Sequence, residues 1–398
     1  MMAALAKQTI RDLDLRGRRT LVRVDFNVPM KAGAITDDTR IRAAVPTIQA
    51  LRHAGARVIL MSHLGRPDGK VVDALRLAPI AAHLADLLGA SVVAVPECVG
   101  PVATAAIRAL HDGDVCLLEN VRFHPGEEAN DPAFVAELAA LGDVFVNDAF
   151  GTAHRAHAST EGVGHHLPAV AGLLMEREVG IMGTALADPA RPFVAVVGGK
   201  KVSDKIGVLR NLIGRADHIL IGGAMANTFL QAQGHAMGAS YVEATAVSTA
   251  TEILEAAAQA GTHLELPSDL VVAPRLDADA PASTVGVDGI AADQMALDIG
   301  PETVARYGVM LREAGTIIWN GPMGVFEVAP FAAGTTGVAH AVADCPGTTI
   351  VGGGDSVAAI ELTGLADRIT HVSTGGGASL EFLEGKVLPG VAVLRDRQ

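Results

Sequence analysis

Two kinds of residue cluster in this sequence could hold phosphate. In the first half, polar and basic residues recur in short strings: Asp25-Phe26-Asn27, Arg40, His63-Leu64-Gly65-Arg66, Arg122-Phe123-His124 and His154-Arg155-Ala156-His157. In the second half, glycines do: Gly198-Gly199-Lys200-Lys201, Gly222-Gly223, Gly321-Pro322-Met323-Gly324, Gly352-Gly353-Gly354-Asp355-Ser356 and Gly375-Gly376-Gly377. Cationic side chains bind a small polyanion directly. Glycine instead lets backbone N–H groups approach phosphate oxygens, and a following helix adds its dipole. Lys201 and Lys205, four apart beside the first glycine run, are suited to phosphate. A lone arginine is ordinarily a solvated surface residue and a lone glycine turn ordinarily only links a strand to a helix. Repetition of each type is what carries information here.

Several familiar chemistries fail on spacing. A Walker A loop needs Gly-Lys followed by Ser or Thr, whereas the Gly-Lys pairs here precede Val71, Lys201 and Val387. The dinucleotide fingerprint breaks at Val357, which stands where a third glycine should follow Gly352 and Gly354. His154 and His157 have no carboxylate or cysteine at metal-site spacing, which favours anion binding or packing over zinc. No Ser-His-Asp arrangement is evident. An in-line phosphoryl transfer needs none, because cations and N–H dipoles around the equatorial oxygens do most of the work.

Elements that could place these residues alternate along the chain. Short β-branched runs occur at Thr20–Val24, Arg57–Met61, Ser91–Val95, Val115–Leu118 and Val144–Val146, then at Phe193–Val197, His218–Ile221, Leu270–Val272, Thr316–Trp319, Thr349–Val351 and Ile369–Val372. Strands separated by helical patterns predict parallel sheets built from βαβ units. In such sheets ligands bind beyond the carboxyl ends of strands, where the strings above fall. The stretch Pro168–Pro189 has helical patterning and no strand run, and reads as an interdomain helix. A chain of 398 residues exceeds the roughly 250 to 300 at which single cores stop growing, so two domains are expected. An aromatic share of 3% leaves aliphatic residues to fill covered parallel sheets.

The net charge of −13 argues against nucleic acid or anionic membrane as partners, so anionic ligands require a local basic patch. Cys98, Cys116 and Cys345 make no disulfide framework and suit a reducing cytoplasm, each as a small buried hydrophobe. No secretory signal or membrane span is expected from the apolar patterning.

The motifs RVDFNVP (Arg23–Pro29), SHLGRP (Ser62–Pro67), LLENVRFHPGEE (Leu117–Glu128) and NDAFGTAHRAHAST (Asn147–Thr160) resemble the first domain of phosphoglycerate kinases. VSDKI, LDIGPET, WNGPMGVFE, VGGGDS and TGGGASLEFLEGKVLPG follow in that family's order, so the resemblance spans essentially the whole chain. It implies two doubly wound, Rossmann-like α/β domains: residues 1–170, then a joining helix over 171–187, then residues 188–379, with the segment from about 380 to 398 packing back on the first. The reaction implied moves a phosphoryl group between 1,3-bisphosphoglycerate and ADP, giving 3-phosphoglycerate and ATP after hinge closure. By the resemblance, Asp25, Phe26, Asn27, Arg40, His63, Leu64, Gly65, Arg66, Arg122 and Arg155 hold the glycerate substrate. Arg40, Lys201 and the backbone at Gly354 and Gly376 face the migrating group. Gly199, Lys201, Lys205, Ala296, Asn320, Glu327, Gly353, Gly354, Asp355 and Ser356 form the nucleotide site, with Glu327 on the ribose and Asp355 on the accompanying Mg²⁺. A monomeric cytoplasmic enzyme is implied. The chain departs from the family's usual pattern at Lys200, where alanine is common, at Ala296 for glycine, at Asn227 for phenylalanine and at Ser356 for threonine. The rival readings are an NAD-dependent dehydrogenase on a similar sheet and a catalytically silent nucleotide-binding relative.

Overall fold

Runs such as Leu21-Val22 and Val58-Ile59-Leu60 are fully buried, the state of a strand covered by helices on both sheet faces. The computed structural model describes residues 7–397, which fall into two compact units, one of residues 7–180 with 387–397 and one of Ile181–Lys386.

In the first unit the strands are β1 (Arg19–Arg23), the small hairpin β2 (Met30–Lys31) and β3 (Ala34–Ile35), β4 (Arg57–Met61), β5 (Val92–Ala94), β6 (Val115–Leu117), β7 (Val144–Asn147) and β8 (Ala169–Ala171). The main sheet runs β5-β6-β4-β1-β7-β8, every pair parallel. From β1 the chain first builds outward through β4, then returns to add β7 on the other side. The order therefore reverses between β1 and β7, the place where doubly wound sheets open a crevice.

The second unit carries β9 (Phe193–Val197), β10 (His218–Ile221), β11 (His263–Glu265), β12 (Asp269–Ala273), β13 (Ser283–Gly286), β14 (Met295–Ile299), β15 (Thr316–Asn320), β16 (Thr348–Val351) and β17 (His371–Val372). Its main sheet runs β11-β10-β9-β15-β16-β17, again parallel, and reverses between β9 and β15. Trp319 is fully buried in its core and donates from Nε1 to Gly321 O at 2.7 Å.

Four expectations need correction. Leu270–Val272 is a strand, but it belongs to a separate antiparallel sheet ordered β13-β12-β14 rather than to the parallel one. The place at the parallel edge goes to β11, whose His-Leu-Glu sequence has a single apolar residue and no strand signature. Pro168–Pro189 is also not purely helical: Ala169–Ala171 adds an edge strand to β7 before the helix Leu173–Ala187 begins. Of the cysteines, Cys98 and Cys116 are buried, and burial pushes the Cys116 thiol up to about 12, but Cys345 is only half-buried.

The chain's return to the first unit begins at Val387 rather than near 380. The helix Gly377–Leu383 buries Ala378, Ser379, Phe382 and Leu383 within the second unit and cannot leave it. Beyond it, Gly390 N donates to Ala153 O at 2.8 Å and Gly390 O accepts from Asn147 Nδ2 at 2.9 Å. Gln8 N donates to Arg395 O at 2.8 Å, tying the last residues to the first. A Cβ on Gly390 would lie 2.9 Å from both Asn147 Nδ2 and Thr160 Cγ2. Gly390→Ala is therefore expected to destabilise the first unit by about 1–3 kcal/mol, the range for overpacking; urea unfolding checks it, and an unchanged midpoint would show that this contact is not tight.

Candidate active site

The carboxyl ends of the first sheet carry a connected network of cations. Arg23 closes β1 and is 1% exposed. Its Nε donates to Ser159 Oγ at 2.8 Å, and its Nη2 lies 3.1 Å from His63 Nδ1, just beyond β4. Ser159 donates to Glu127 from Oγ at 2.6 Å and from N at 2.9 Å. Burial lowers the pKa of the Arg23 guanidinium and raises that of the Glu127 carboxyl, and each charge opposes the other's shift.

Arg40 sits in the first turn of the helix Thr39–His53, with Nη1 at 3.1 Å from Asp25 Oδ2 and 3.2 Å from Asn27 O. Asn27 Oδ1 accepts from Gly65 N at 2.9 Å, and Gly65 O accepts from Arg122 Nη1 at 2.9 Å. Arg122 lies in the turn after β6, 4% exposed, with Nε 3.1 Å from Glu128 Oε1. Its Nη2 is buried with no hydrogen-bond acceptor among the described residues. A desolvated donor without an acceptor is costly, and an anion would relieve it. The histidines report the same field: burial, then Arg23, Arg122, Arg155 and Arg40, hold His63 well below the ordinary imidazole pKa. His157 is pulled down to about 4, by burial first and then Arg122 and Arg155.

In the second unit the strand ends are glycine turns packed so closely that side chains would collide. A Cβ on Gly198 after β9 would lie 2.1 Å from Pro322 O, and one on Gly321 after β15 would lie 2.1 Å from Gly198 O. These two turns interlock at the point where the strand order reverses. Beside them opens a mainly apolar cleft of about 610 Å³, whose walls include Tyr241, Leu276, Ala296, Val325 and Glu327. An adjoining cavity of about 170 Å³ is lined by Lys205, Asn320, Gly353, Gly354, Ser356 and Gly376. Asp355 lines both. Lys205 donates to Asn320 Oδ1, Asn320 Nδ2 to Gly352 O at 2.7 Å, and Gly321 N to Ser356 Oγ at 2.5 Å. Burial lowers the Lys205 pKa, opposed by Asp204, Asp355 and Glu384. Gly353, at φ +97°, precedes the helix Gly354–Leu362, whose first N–H groups have no intrahelical partner. An apolar slot beside N–H groups and an ammonium matches the two halves of a nucleotide, base and phosphates.

The family model for phosphoglycerate kinase matches residues 10–386. The chain belongs to the phosphoglycerate kinase family. It is 61% identical to the phosphoglycerate kinase of Moorella thermoacetica over 393 residues, covering 99% of this chain and 100% of that one. The phosphoglycerate kinase of Roseiflexus castenholzii is likewise 61% identical, covering 98% and 100%. Among solved structures, phosphoglycerate kinase from Coxiella burnetii superposes with a TM-score of 0.91 at 44% identity, covering 97% of this chain and 98% of its own. That from Pyrococcus horikoshii gives 0.84 at 35%, with the same coverage. The chain is thus a phosphotransferase of the kind used in glycolysis, and neither a dehydrogenase nor a silent relative is favoured.

For a phosphoglycerate kinase, the first sheet's edge gathers Asp25, Asn27, Arg40, Gly65 and Arg122 into one hydrogen-bonded network, and His63, bonded to Arg23, feels the charge of Arg40 and Arg122 beside it. Arg155 is half-buried, with Nε 3.3 Å from His154 Nε2, and Arg66 is exposed. Phe26 and Leu64 are core residues, and Phe26 N and O are already bonded to Ser62 Oγ and Val28 N. Gly199, Ala296 and Glu327 line the larger cavity. Lys200 joins them, its ammonium 5.0 Å above the Tyr241 ring, while Lys201 is exposed and lies outside both linings. Asn227 is behind the wall, bonded to Tyr241 O at 3.2 Å. Sequence reading overlooked Arg23, Ser159 and Glu127 as site residues. The signal available was a charge inside an apolar strand, which cannot be solvated and must be paired.

Asp298 on β14 supports the cleft wall from behind, since a Cβ on Gly324 would lie 2.0 Å from its Oδ1. It accepts from Ile299 N at 2.9 Å and from Gly334 N at 2.6 Å, and burial pushes its carboxyl up to about 7 from 3.8. A pKa raised by folding contributes stability that is full below 3.8 and lost as pH rises through about 7. The stability difference between wild type and Asp298→Asn should therefore shift against wild type from pH 4 to pH 7, read by denaturant melts on the fluorescence of Trp319. A difference independent of pH would contradict the assignment.

Proposed function

We propose that the chain carries a phosphoryl group reversibly between the acyl phosphate of 1,3-bisphosphoglycerate and the terminal phosphate of ADP, with the glycerate on the first sheet's edge and the nucleotide on the second's. The observation that carries this reading is Arg122 Nη2, a buried donor with no acceptor among the described residues inside a ring of guanidinium groups. Asp25, Asn27, Arg40, His63, Gly65, Arg66, Arg122 and Arg155 are the glycerate's partners in it. Arg40 would face the transferring group from that side, and Lys201 with the N–H groups at Gly354 and Gly376 from the other. Gly199, Ala296 and Glu327 suit base and ribose, and Lys205, Asn320, Gly353, Gly354 and Ser356 suit the phosphates.

Mg²⁺ demands few protein ligands when phosphates and water supply the rest. Asp355, a carboxylate in the first helical turn after Gly353 and on the border of both cavities, fits that limited role. The ion would screen the phosphate charge. Holding the nucleotide in register remains the work of the glycine turns and Lys205.

Because attacking and leaving oxygens both belong to anionic groups, no residue is needed as a general base. What the protein must supply is charge, orientation and exclusion of water. In this reading the hinge lies in the interdomain helix, whose span Leu173–Ala187 contains the boundary between the units, and the working form is a cytoplasmic monomer.

An assay with 3-phosphoglycerate, ATP and Mg²⁺, coupled to a reporter of 1,3-bisphosphoglycerate, should show turnover; a folded preparation without any would reject the reading. Arg40→Ala and Lys201→Ala should each lower kcat by about 10²–10³, as for removal of one transition-state donor, with much smaller changes in KM. A rise in KM alone would mean that these cations serve ground-state binding only.

A further inference from the structure

The buried chain Glu127–Ser159–Arg23–His63 has a fixed hydrogen-bond direction. A guanidinium has five N–H donors and no acceptor. The 3.1 Å contact of Arg23 Nη2 with His63 Nδ1 can therefore only be a bond donated to the ring nitrogen's lone pair. Nδ1 must be bare, and the ring's proton sits on Nε2.

The rest of the chain keeps the guanidinium from turning away. Its Nη1 is held by Val24 O, and its Nε donates to Ser159 Oγ at 2.8 Å. The Ser159 hydroxyl has one proton, which it gives to Glu127 Oε1 at 2.6 Å, leaving lone pairs for Arg23. Glu127 Oε2 takes Ser159 N–H at 2.9 Å. Both carboxylate oxygens are thus acceptors, and the residue is wholly buried, at 0% exposure. With Glu127 ionised, every bond from carboxylate to imidazole runs in one sense only.

The groups facing His63 oppose a second ring proton. They are Arg23 from β1, Arg40 from the helix Thr39–His53, Arg122 from the turn after β6 and Arg155 from the segment after β7, all cations. His63 is consequently a different kind of ligand group from its neighbours. The arginines contribute charge, and the imidazole contributes one directional donor.

We infer that Arg23, clamped by Glu127 through Ser159, is a positioning residue that fixes His63 as the Nε2–H tautomer and presents it to the glycerate as an uncharged, single-proton donor. The second half of this statement rests on the glycerate reading above; the first concerns the free protein alone.

The test is ¹⁵N NMR of the histidine-labelled, ligand-free full chain, with His63 assigned by loss of its signals in His63→Gln. Wild type should show an acceptor-type Nδ1 and a protonated Nε2, with no titration on crossing pH 6.5, the ordinary imidazole value. Arg23→Met should release both the tautomer and the titration. It should also raise KM for 3-phosphoglycerate about tenfold, as for one lost charge-assisted bond, with the nucleotide KM unchanged. Ser159→Ala, a smaller change in case Arg23→Met does not fold, should move both readouts in the same direction by a lesser amount. A protonated Nδ1 in wild type, or an unaltered His63 spectrum in folded Arg23→Met, overturns the assignment. The assigned tautomer together with a 3-phosphoglycerate KM indifferent to His63→Gln and Arg23→Met overturns instead the glycerate reading of this edge.

Discussion

Parallel pairing brings the carboxyl end of every strand to one edge of its sheet, and it does so independently in each unit. At such an edge, residues far apart in sequence become neighbours: Arg23, His63, Arg122 and Ser159 meet although they lie at or beyond the ends of four different strands. At the corresponding edge of the second unit, Gly198 and Gly321 interlock so tightly that no side chain fits either. Both meetings fall where the order of strands reverses and two connections diverge from the sheet. Reverse that polarity, and neither set of residues would converge.

The two edges solve opposite problems. A protein of net charge −13 repels anions at long range, so the first edge needs a dense local field. Concentrated guanidinium groups repel one another and lose hydration, which only paired or hydrogen-bonded burial offsets. Asp25 pairs with Arg40, Glu128 with Arg122, and Glu127 reaches Arg23 through Ser159, yet Arg122 keeps a donor unspent. The second edge uses almost no formal charge. Backbone N–H groups freed by glycine and by helix starts do the same work for an extended ligand, and Lys205, partly buried, adds one cation.

Much of this was legible in the residues. Parallel α/β architecture followed from β-branched runs between helical patterns, and the strand-end rule then pointed to the polar strings and glycine turns. What escaped reading had weak local signals. Strand β8 is three residues, Ala-Val-Ala, and is held by pairing with β7 rather than by its own propensity. Strand β11 is defined by its parallel partner, and β12 reads like any buried strand whether its neighbours run with it or against it. Phe26 and Leu64 stand inside motifs of binding residues with their side chains packed in the core, which leaves only backbone groups to meet a ligand there, and motif membership says nothing about which way a side chain points. Glu127 and Ser159 look like ordinary surface residues until the fold brings Arg23 between Ser159 and His63.

The account stands on ligands occupying these two strand edges. A crystal structure of the chain with 3-phosphoglycerate, ADP and Mg²⁺ tests it most directly. It should place a phosphate or carboxylate oxygen of the glycerate within hydrogen-bond distance of Arg122 Nη2, and the ADP phosphates against the N–H groups of Gly353 and Gly354 and the ammonium of Lys205. Either ligand bound away from its edge, with Arg122 Nη2 still lacking an acceptor, would contradict it.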